Sequence, residues 1–285
     1  MMKILLLKGG RAVKPGFELH SARAIARTQN HLYLAPHPLL RPWVAHYTFT
    51  FPGGLPGGGT LTLIPDASGC ILLSPNGDPH VLAWGATTKI SVVRRDFNES
   101  PVRFFIELLP GALGVLTGIP QEELRDRRFL LGDAEPALAA ALETAARRAL
   151  GADALAEEAD RLLLERLCGQ ALPSAVEGAM ARLRETAGLH PVGELASESG
   201  YSQRHLSRLF GAAVGMNIKT FARLVRVNAA IQRLRRETPP LTRLAQDAGF
   251  YDQAHFIHDF ERICGTSPGD YLQNLSVFYN EPFKF

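Results

Sequence analysis

Leu195-Ala196-Ser197-Glu198-Ser199-Gly200-Tyr201 is followed by Leu206-x3-Phe210, Gly215 and Phe221. The pattern returns as Leu244-Ala245-Gln246-Asp247-Ala248-Gly249-Phe250, then Phe256-x3-Phe260, Gly265 and Tyr271. The offset is 49 positions through Tyr201/Phe250 and 50 from Leu206/Phe256 onward, so the second copy has one extra residue near its turn. Each copy reads as a helix, a tight turn and a second helix. A small residue (Ala196, Ala245) lets the second helix cross the first, and a glycine four positions later (Gly200, Gly249) accepts positive φ in the turn. Leu206, Leu209 and Phe210, and then Phe256 and Phe260, fix each second helix against the first. Gly215 and Gly265 close those helices as C-caps. One Ala-x3-Gly match is common by chance, whereas two in one register with shared aromatic and glycine positions are not. The reading is a tandem helix-turn-helix that places two recognition helices on DNA. A plain helical bundle with an internal duplication is the blander alternative.

Between the copies, Ile218, Phe221, Val225, Ala229 or Ala230 and Leu234 recur at helical spacing, with Arg223, Arg226, Arg233, Arg235 and Arg236 among them. Pro239-Pro240 stops the run. At about 1.5 Å per residue, Ile218 to Arg236 spans roughly 28 Å. That length can hold two units about one turn of B-DNA apart, roughly 34 Å.

The totals fit this reading without proving it. A chain of 285 residues suits two domains, each able to bury a core. With 46% hydrophobic residues and a mean hydropathy of −0.01, it reads as an ordinary soluble protein. No apolar run is long enough to cross a bilayer, and Met1–Lys8 is too short for a secretory signal, so a cytoplasmic, nucleoid-associated location is expected. Cys70, Cys168 and Cys264 are far apart and odd in number, which argues against disulfides and a Cys-rich zinc site. Residues 181–276 hold 12 Lys+Arg against 9 Asp+Glu, so the formal excess of +3 lies where the repeat lies.

The N-terminal half has a different grammar. Residues 3–8 look like an edge strand, and residues 11–30 are weakly patterned. Trp43–Phe51 alternates and is rich in aromatic and β-branched residues, as a strand should be. Pro52–Gly59 is a glycine-rich loop. Strand-like runs follow at 60–64, 70–73, 81–84, 89–93 and 102–109, a spacing that suggests a sandwich or barrel. Helical patterns then cover 110–116, 120–124, 134–149, 153–168 and 175–185. The expected fold is α+β: a β-barrel-like N-terminal domain with flanking helices, followed by an all-α tandem helix-turn-helix domain. The expected units are 1–172, 173–276 and a tail, 277–285.

Leu195-Ala196…Gly200-Tyr201-Ser202-x-Arg204-His205-Leu206-x-Arg208-Leu209-Phe210, then Gly215 and Arg226-Val227-x2-Ala230-x3-Leu234, resembles the AraC/XylS family of bacterial transcription regulators. The likeness continues through Leu244-Ala245-x2-Ala248-Gly249-Phe250-x-Asp252-Gln253-x2-Phe256-x3-Phe260 and Gly265-Thr266-Ser267-Pro268-x-Asp270-Tyr271. The resemblance implies that Arg204, Ser207 and Arg208 face bases in the first recognition helix. Arg204 and Arg208 share a helix face, and Arg can grip guanine O6/N7 with two bonds. The matching positions of the second helix are Ala254, Ile257 and His258, with Gln253 just before them. The family usually has Arg at the position of His258, so the first unit is expected to carry more of the specificity. Ile257 remains able to touch a thymine methyl.

More loosely, His37-Pro38-Leu39-Leu40…Val44-x-His46-Tyr47, Pro65-Asp66 and Pro110-Gly111-x6-Gly118-Ile119-Pro120 resemble the β-rich N-terminal domain of one subgroup of that family. This implies a cupin-like barrel that binds a small-molecule effector or mediates homodimerisation. The end, Val277-Phe278-Tyr279-Asn280, resembles that subgroup's tail and is expected to pack as a short strand. Candidate effector-pocket residues are Trp43, Tyr47, Phe49, His80 and Trp84, against the plainer reading of core aromatics. The expected partners are double-stranded promoter or operator DNA, a small effector, a second copy of the chain and RNA polymerase; no membrane and no cofactor are expected. The alternatives are a cupin-like metal-dependent enzyme and an effector-binding protein with a DNA-binding-type domain. His31, His37, His46 and His80 lack the His-x-His and nearby Glu spacing that a metal enzyme needs. The cysteines lack the Pro-Cys-His-type setting of a DNA-repair methyltransferase, so no enzyme is expected.

Overall fold

Alternating strands lay down an antiparallel sheet of seven, and one of its faces takes the helices. The computed structural model describes residues 17–51, 60–75, 80–94, 102–237, 239–274 and 278–279. Across the sheet the order is β1 (Ala24–Arg27), β2 (His31–Leu34), β3 (Val44–Thr50), β8 (Arg103–Leu108), β5 (Cys70–Leu73), β6 (Leu82–Trp84) and β9 (Arg128–Leu130). A second sheet places β4 (Thr60–Leu63) between β7 (Ser91–Arg94), antiparallel, and β10 (Phe278–Tyr279), parallel. The large sheet ends at β1 and β9 and is not closed into a barrel. The edge strand expected at 3–8 and the glycine-rich stretch at 52–59 lie outside the described residues. β1 and β9 were not foreseen: β1 is a mostly exposed edge strand without alternation, and β9 is three residues long.

The register of β3 explains both faces of the large sheet. Tyr47 sits opposite Ile106 and Phe49 opposite Phe104, and Ile71 of β5 also faces Ile106. Phe104 lies 5.3 Å from the Tyr47 ring and 4.7 Å from the Phe49 ring. These side chains share one core with α3 (Pro136–Arg148) and α4 (Ala152–Leu167), through Leu138, Leu142, Leu155 and Leu163. Each large side chain fully buried there contributes about 1.5–3 kcal/mol relative to exposure. The buried Asp160 of α4 fastens helix to sheet. It accepts the Tyr47 hydroxyl at 2.6 Å, the His37 amide at 2.9 Å and the Arg23 guanidinium at 2.6 Å. Burial, reinforced by Asp160, raises the Tyr47 pKa well above its ordinary value. The opposite face, one residue out of phase, carries Thr48, Thr50, Phe105, Glu107 and Cys70.

Between the sheet and the repeat lie α1 (Ala112–Thr117) and α2 (Gln121–Leu124). The C-terminal part consists of α5 (Ser174–Glu185), α6 (Val192–Glu198), α7 (Gln203–Val214), α8 (Ile218–Glu237), α9 (Leu241–Asp247), α10 (Gln253–Cys264) and α11 (Pro268–Gln273). A second core runs through all seven of these helices and also takes in Ile64, Ala67 and Ala86 of the N-terminal half. No described helix is long and apolar enough to cross a membrane.

Candidate nucleic-acid interface

The two copies of the repeat match bond for bond. After α6, the Gly200 amide donates to Ser197 O at 3.1 Å and the Tyr201 amide to Ala196 O at 3.0 Å. After α9, the Gly249 amide donates to Gln246 O at 3.0 Å and the Phe250 amide to Ala245 O at 2.9 Å. Gly200 and Gly249 have φ of 71° and 67°, the left-handed conformation the turn requires. Each following helix has a side-chain N-cap. Ser202 Oγ accepts the His205 amide at 3.2 Å, and Asp252 Oδ1 accepts the His255 amide at 2.7 Å. Leu206 and Phe210 are fully buried, as are Phe256 and Phe260. Phe210 meets Phe221 edge-on at 5.4 Å, and Phe260 meets Tyr271 at 5.5 Å in the same way. The scaffold is therefore duplicated, including its aromatic pairs.

The outer faces are not duplicated. On α7, Arg204 and Arg208 are exposed and Ser207 is half-buried. Among the described residues, neither guanidinium forms an ion pair; Arg208 Nη2 lies 3.5 Å from His205 Nδ1, too long for a strong bond. On α10, Ala254 and His258 are exposed. Ile257 is half-buried and packs on the second core. The amide oxygen of Gln253 accepts the Thr242 hydroxyl at 2.6 Å, which ties α10 to α9. The structure thus brings Arg204 and Arg208 to a free face, while Gln253 and Ile257 have structural work of their own.

The sequence reading missed the Asp259 cluster. Asp259 is buried on α10, with Arg223 Nε of α8 at 3.1 Å. His255 Nε2 lies 3.7 Å from one carboxylate oxygen and His258 Nδ1 3.8 Å from the other. Spacing alone gave no signal for the cluster, because Arg223 lies between the apolar positions of α8 and Asp259 comes from another helix. Arg226 is likewise internal: it donates to Gly188 O at 2.9 Å and lies 5.2 Å from the Phe250 ring centre, with its pKa lowered by burial. Arg233 holds Asp247 at 2.6 Å. Leu189, from the loop before α6, fills the space above Gly249; a Cβ there would lie 2.2 Å from its Cδ2. These contacts lock the second unit to α8 and to the loop before α6.

The N-terminal half covers the far ends of both recognition helices. Arg125 Nη1 donates to Gly215 O, the C-cap of α7, at 2.8 Å. A Cβ on Gly215 would lie 2.6 Å from Gln121 O, and one on Gly265, the C-cap of α10, 2.6 Å from Ile90 Cδ1. The first turns of α7 and α10, where Arg204 and His255 stand exposed, face away from these contacts.

A cavity of about 110 Å³ lies between the two sheets, lined by Thr48, Thr50, Phe105 and Glu107 from one and Leu61, Leu63 and Val93 from the other. Of the five aromatic and His candidates, Trp84 lines it, with the Arg128 guanidinium 3.9 Å from the Trp84 ring centre and donating to Ser91. Trp43, Tyr47 and Phe49 instead lie in the core against α3 and α4, and His80 is an exposed residue outside the lining. The physical reason is the two-residue period of β3: the face that meets the helices takes Tyr47 and Phe49, and the cavity takes Thr48 and Thr50. Among the described residues, no three His, Cys, Asp or Glu side chains come together as a metal site. Cys264 is buried, which pushes its thiol pKa up, and Cys168 is exposed.

A family model for a helix-turn-helix domain matches residues 195–274. The regulatory protein SoxS of Escherichia coli is 31% identical over 81 residues, covering 28% of this chain and 76% of SoxS. The chain belongs to the AraC-type family of helix-turn-helix transcription regulators. A second relative, the uncharacterised helix-turn-helix-type transcriptional regulator YfiF of Bacillus subtilis, is 33% identical over 97 residues. That match spans 32% of this AraC-type chain and only 31% of YfiF. Among solved structures, ToxT from Vibrio cholerae superposes with a TM-score of 0.42 at 12% identity, covering 77% of this chain and 95% of ToxT. At that level the superposition decides nothing further. DNA is the partner that the matched domain supports, and the matched stretch contains both recognition helices with their caps.

Proposed function

We propose that this AraC-type chain is a sequence-specific, double-stranded DNA-binding regulator of transcription whose N-terminal half takes a small effector. The observation that carries the reading is the pair of free guanidiniums, Arg204 and Arg208, on the exposed face of a capped helix in a duplicated scaffold. Ser207 between them completes the reading surface of the first unit. Ala254, Ile257 and His258 supply a sparser surface on the second, and Gln253 mainly joins α9 to α10. The cavity between the sheets is the proposed effector site, with Trp84 at its wall. The proposed units are 1–172, 173–276 and the tail 277–285. A homodimer held by the N-terminal half, contact with RNA polymerase and a cytoplasmic, nucleoid-associated location complete the reading; no catalytic step is assigned.

The test is fluorescence anisotropy of the full chain on fragments of the DNA upstream of its own gene, across a salt series. The expected result is one preferred fragment, with affinity falling linearly in log salt as phosphate contacts release counterions. Equal affinity for every fragment overturns the reading. Loss of base discrimination in Arg208→Ala locates it on α7.

A further inference from the structure

The exposed face of α10 carries two histidines. His258 stands at the position of Arg208, and His255 at the position of His205. Their side chains are 73% and 45% exposed, whereas that of Asp259 is 8% exposed, so a phosphate can reach either imidazole with the carboxylate sheltered behind them. The carboxylate lies within 4 Å of both rings, at 3.7 and 3.8 Å, and so gives them a shared anchor on the protein side. The charged groups around this pair are Asp259 and the exposed N-cap Asp252, whose carboxylate accepts the His255 amide at 2.7 Å, together with Arg223 and Arg226 on α8; the Phe250 ring lies 5.4 Å from His255. On α9, Asp247 is taken by Arg233 and Arg243. With both imidazoles neutral, Asp252 and Asp259 cancel Arg223 and Arg226, and the patch offers a phosphate no net charge. With both protonated it offers two positive charges. Histidine is the side chain that makes this change between pH 5 and 8, and a phosphate placed beside it favours the charged form.

We propose that the second helix-turn-helix unit grips the DNA backbone through protonated His255 and His258, so that DNA binding takes up protons at this unit. The first unit has no such dependence at the equivalent reading position, because Arg208 stays charged throughout. This rests on the reading that α10 faces DNA. The chemistry fixes the sign. A site that binds DNA in its protonated form gains affinity as pH falls, by up to about tenfold per pH unit for each linked proton.

The experiment measures affinity of the full chain for its preferred duplex at pH 6, 7 and 8 and constant ionic strength. It adds calorimetry in two buffers of different ionisation enthalpy, which counts the protons taken up. Affinity is expected to rise about tenfold or more from pH 8 to pH 6, with net proton uptake. His255→Gln/His258→Gln should lose more than half of both the slope and the uptake, and His205→Gln should keep more than half. His258→Arg should bind at pH 8 about as tightly as the parent at pH 6–7. A flat profile in the parent, or a double glutamine variant that keeps the parent's slope and uptake, overturns the proposal while leaving specific DNA binding standing. Equal binding to all duplexes at every pH sinks the regulator reading itself. Both side chains are exposed, and a thermal melt verifies that the variants are folded.

Discussion

The two helix-turn-helix units have the same skeleton and different skins. Their turns, caps and aromatic pairs superimpose in sequence and in hydrogen bonding, down to the two amide donors after each first helix. Their outer faces have diverged: on α7 two arginines without ion pairs among the described residues, and on α10 two histidines leaning on a buried aspartate. A duplicated scaffold therefore says where a recognition helix is, and says little about what it reads. Packing constrains the residues that a helix buries, and nothing inside the fold constrains the ones it exposes.

The strongest way to break the comparison is at the shared core. Phe210→Ala and Phe260→Ala should each cost about 3–5 kcal/mol in urea unfolding. If the skeletons are equivalent, the two values agree within roughly 1 kcal/mol; a much smaller loss at Phe260 would show a looser second unit. Next comes the contrast between glycines in one copy. Gly200→Ala pays only for the left-handed backbone, roughly 1–2 kcal/mol, because open space surrounds it. Gly215→Ala pays that and also meets Gln121 O, so its loss should be the larger by about 1 kcal/mol or more. Equal losses would mean that α2 yields easily. Reading residues come third. Arg208→Ala should weaken specific binding by about 1–3 kcal/mol and relax base choice, whereas His258→Ala at pH 8 should cost less than about 1 kcal/mol. The reverse order would move the specificity to α10. The smallest effect is at the caps: Ser202→Ala and Asp252→Ala should each lower the unfolding free energy by about 1 kcal/mol.

Much of this was legible in the chain. The repeat shows itself because turn glycines, crossing alanines and core aromatics are few in kind and fixed in spacing. Most strands showed through alternation at Trp43–Phe51 and the turn residues between later runs. What escaped has physical causes. β1 is an edge strand with little to bury, so no alternation marks it. Arg223, Arg226 and Arg233 fall between the apolar positions of a long helix, and their spacing does not reveal that Asp259, the Gly188 carbonyl and Asp247 hold them. The aromatic residues of β3 were open to two readings, pocket wall or core, and only the placement of α3 and α4 on one face reveals that Tyr47 and Phe49 are core while Thr48 and Thr50 face the cavity.

Gly215 and Gly265 are the same position in two copies, and the N-terminal half rests on both. One support comes from Arg125 and Gln121, the other from Ile90. Two fixed feet on two helices form a brace. The gap between α7 and α10 is then a dimension shared between α8 and the N-terminal half, and under the proposed function the stretch of duplex that the pair straddles becomes a property of the whole chain. The segment that carries one foot, Gln121–Arg125, runs directly into β9, whose Arg128 stands at the cavity wall.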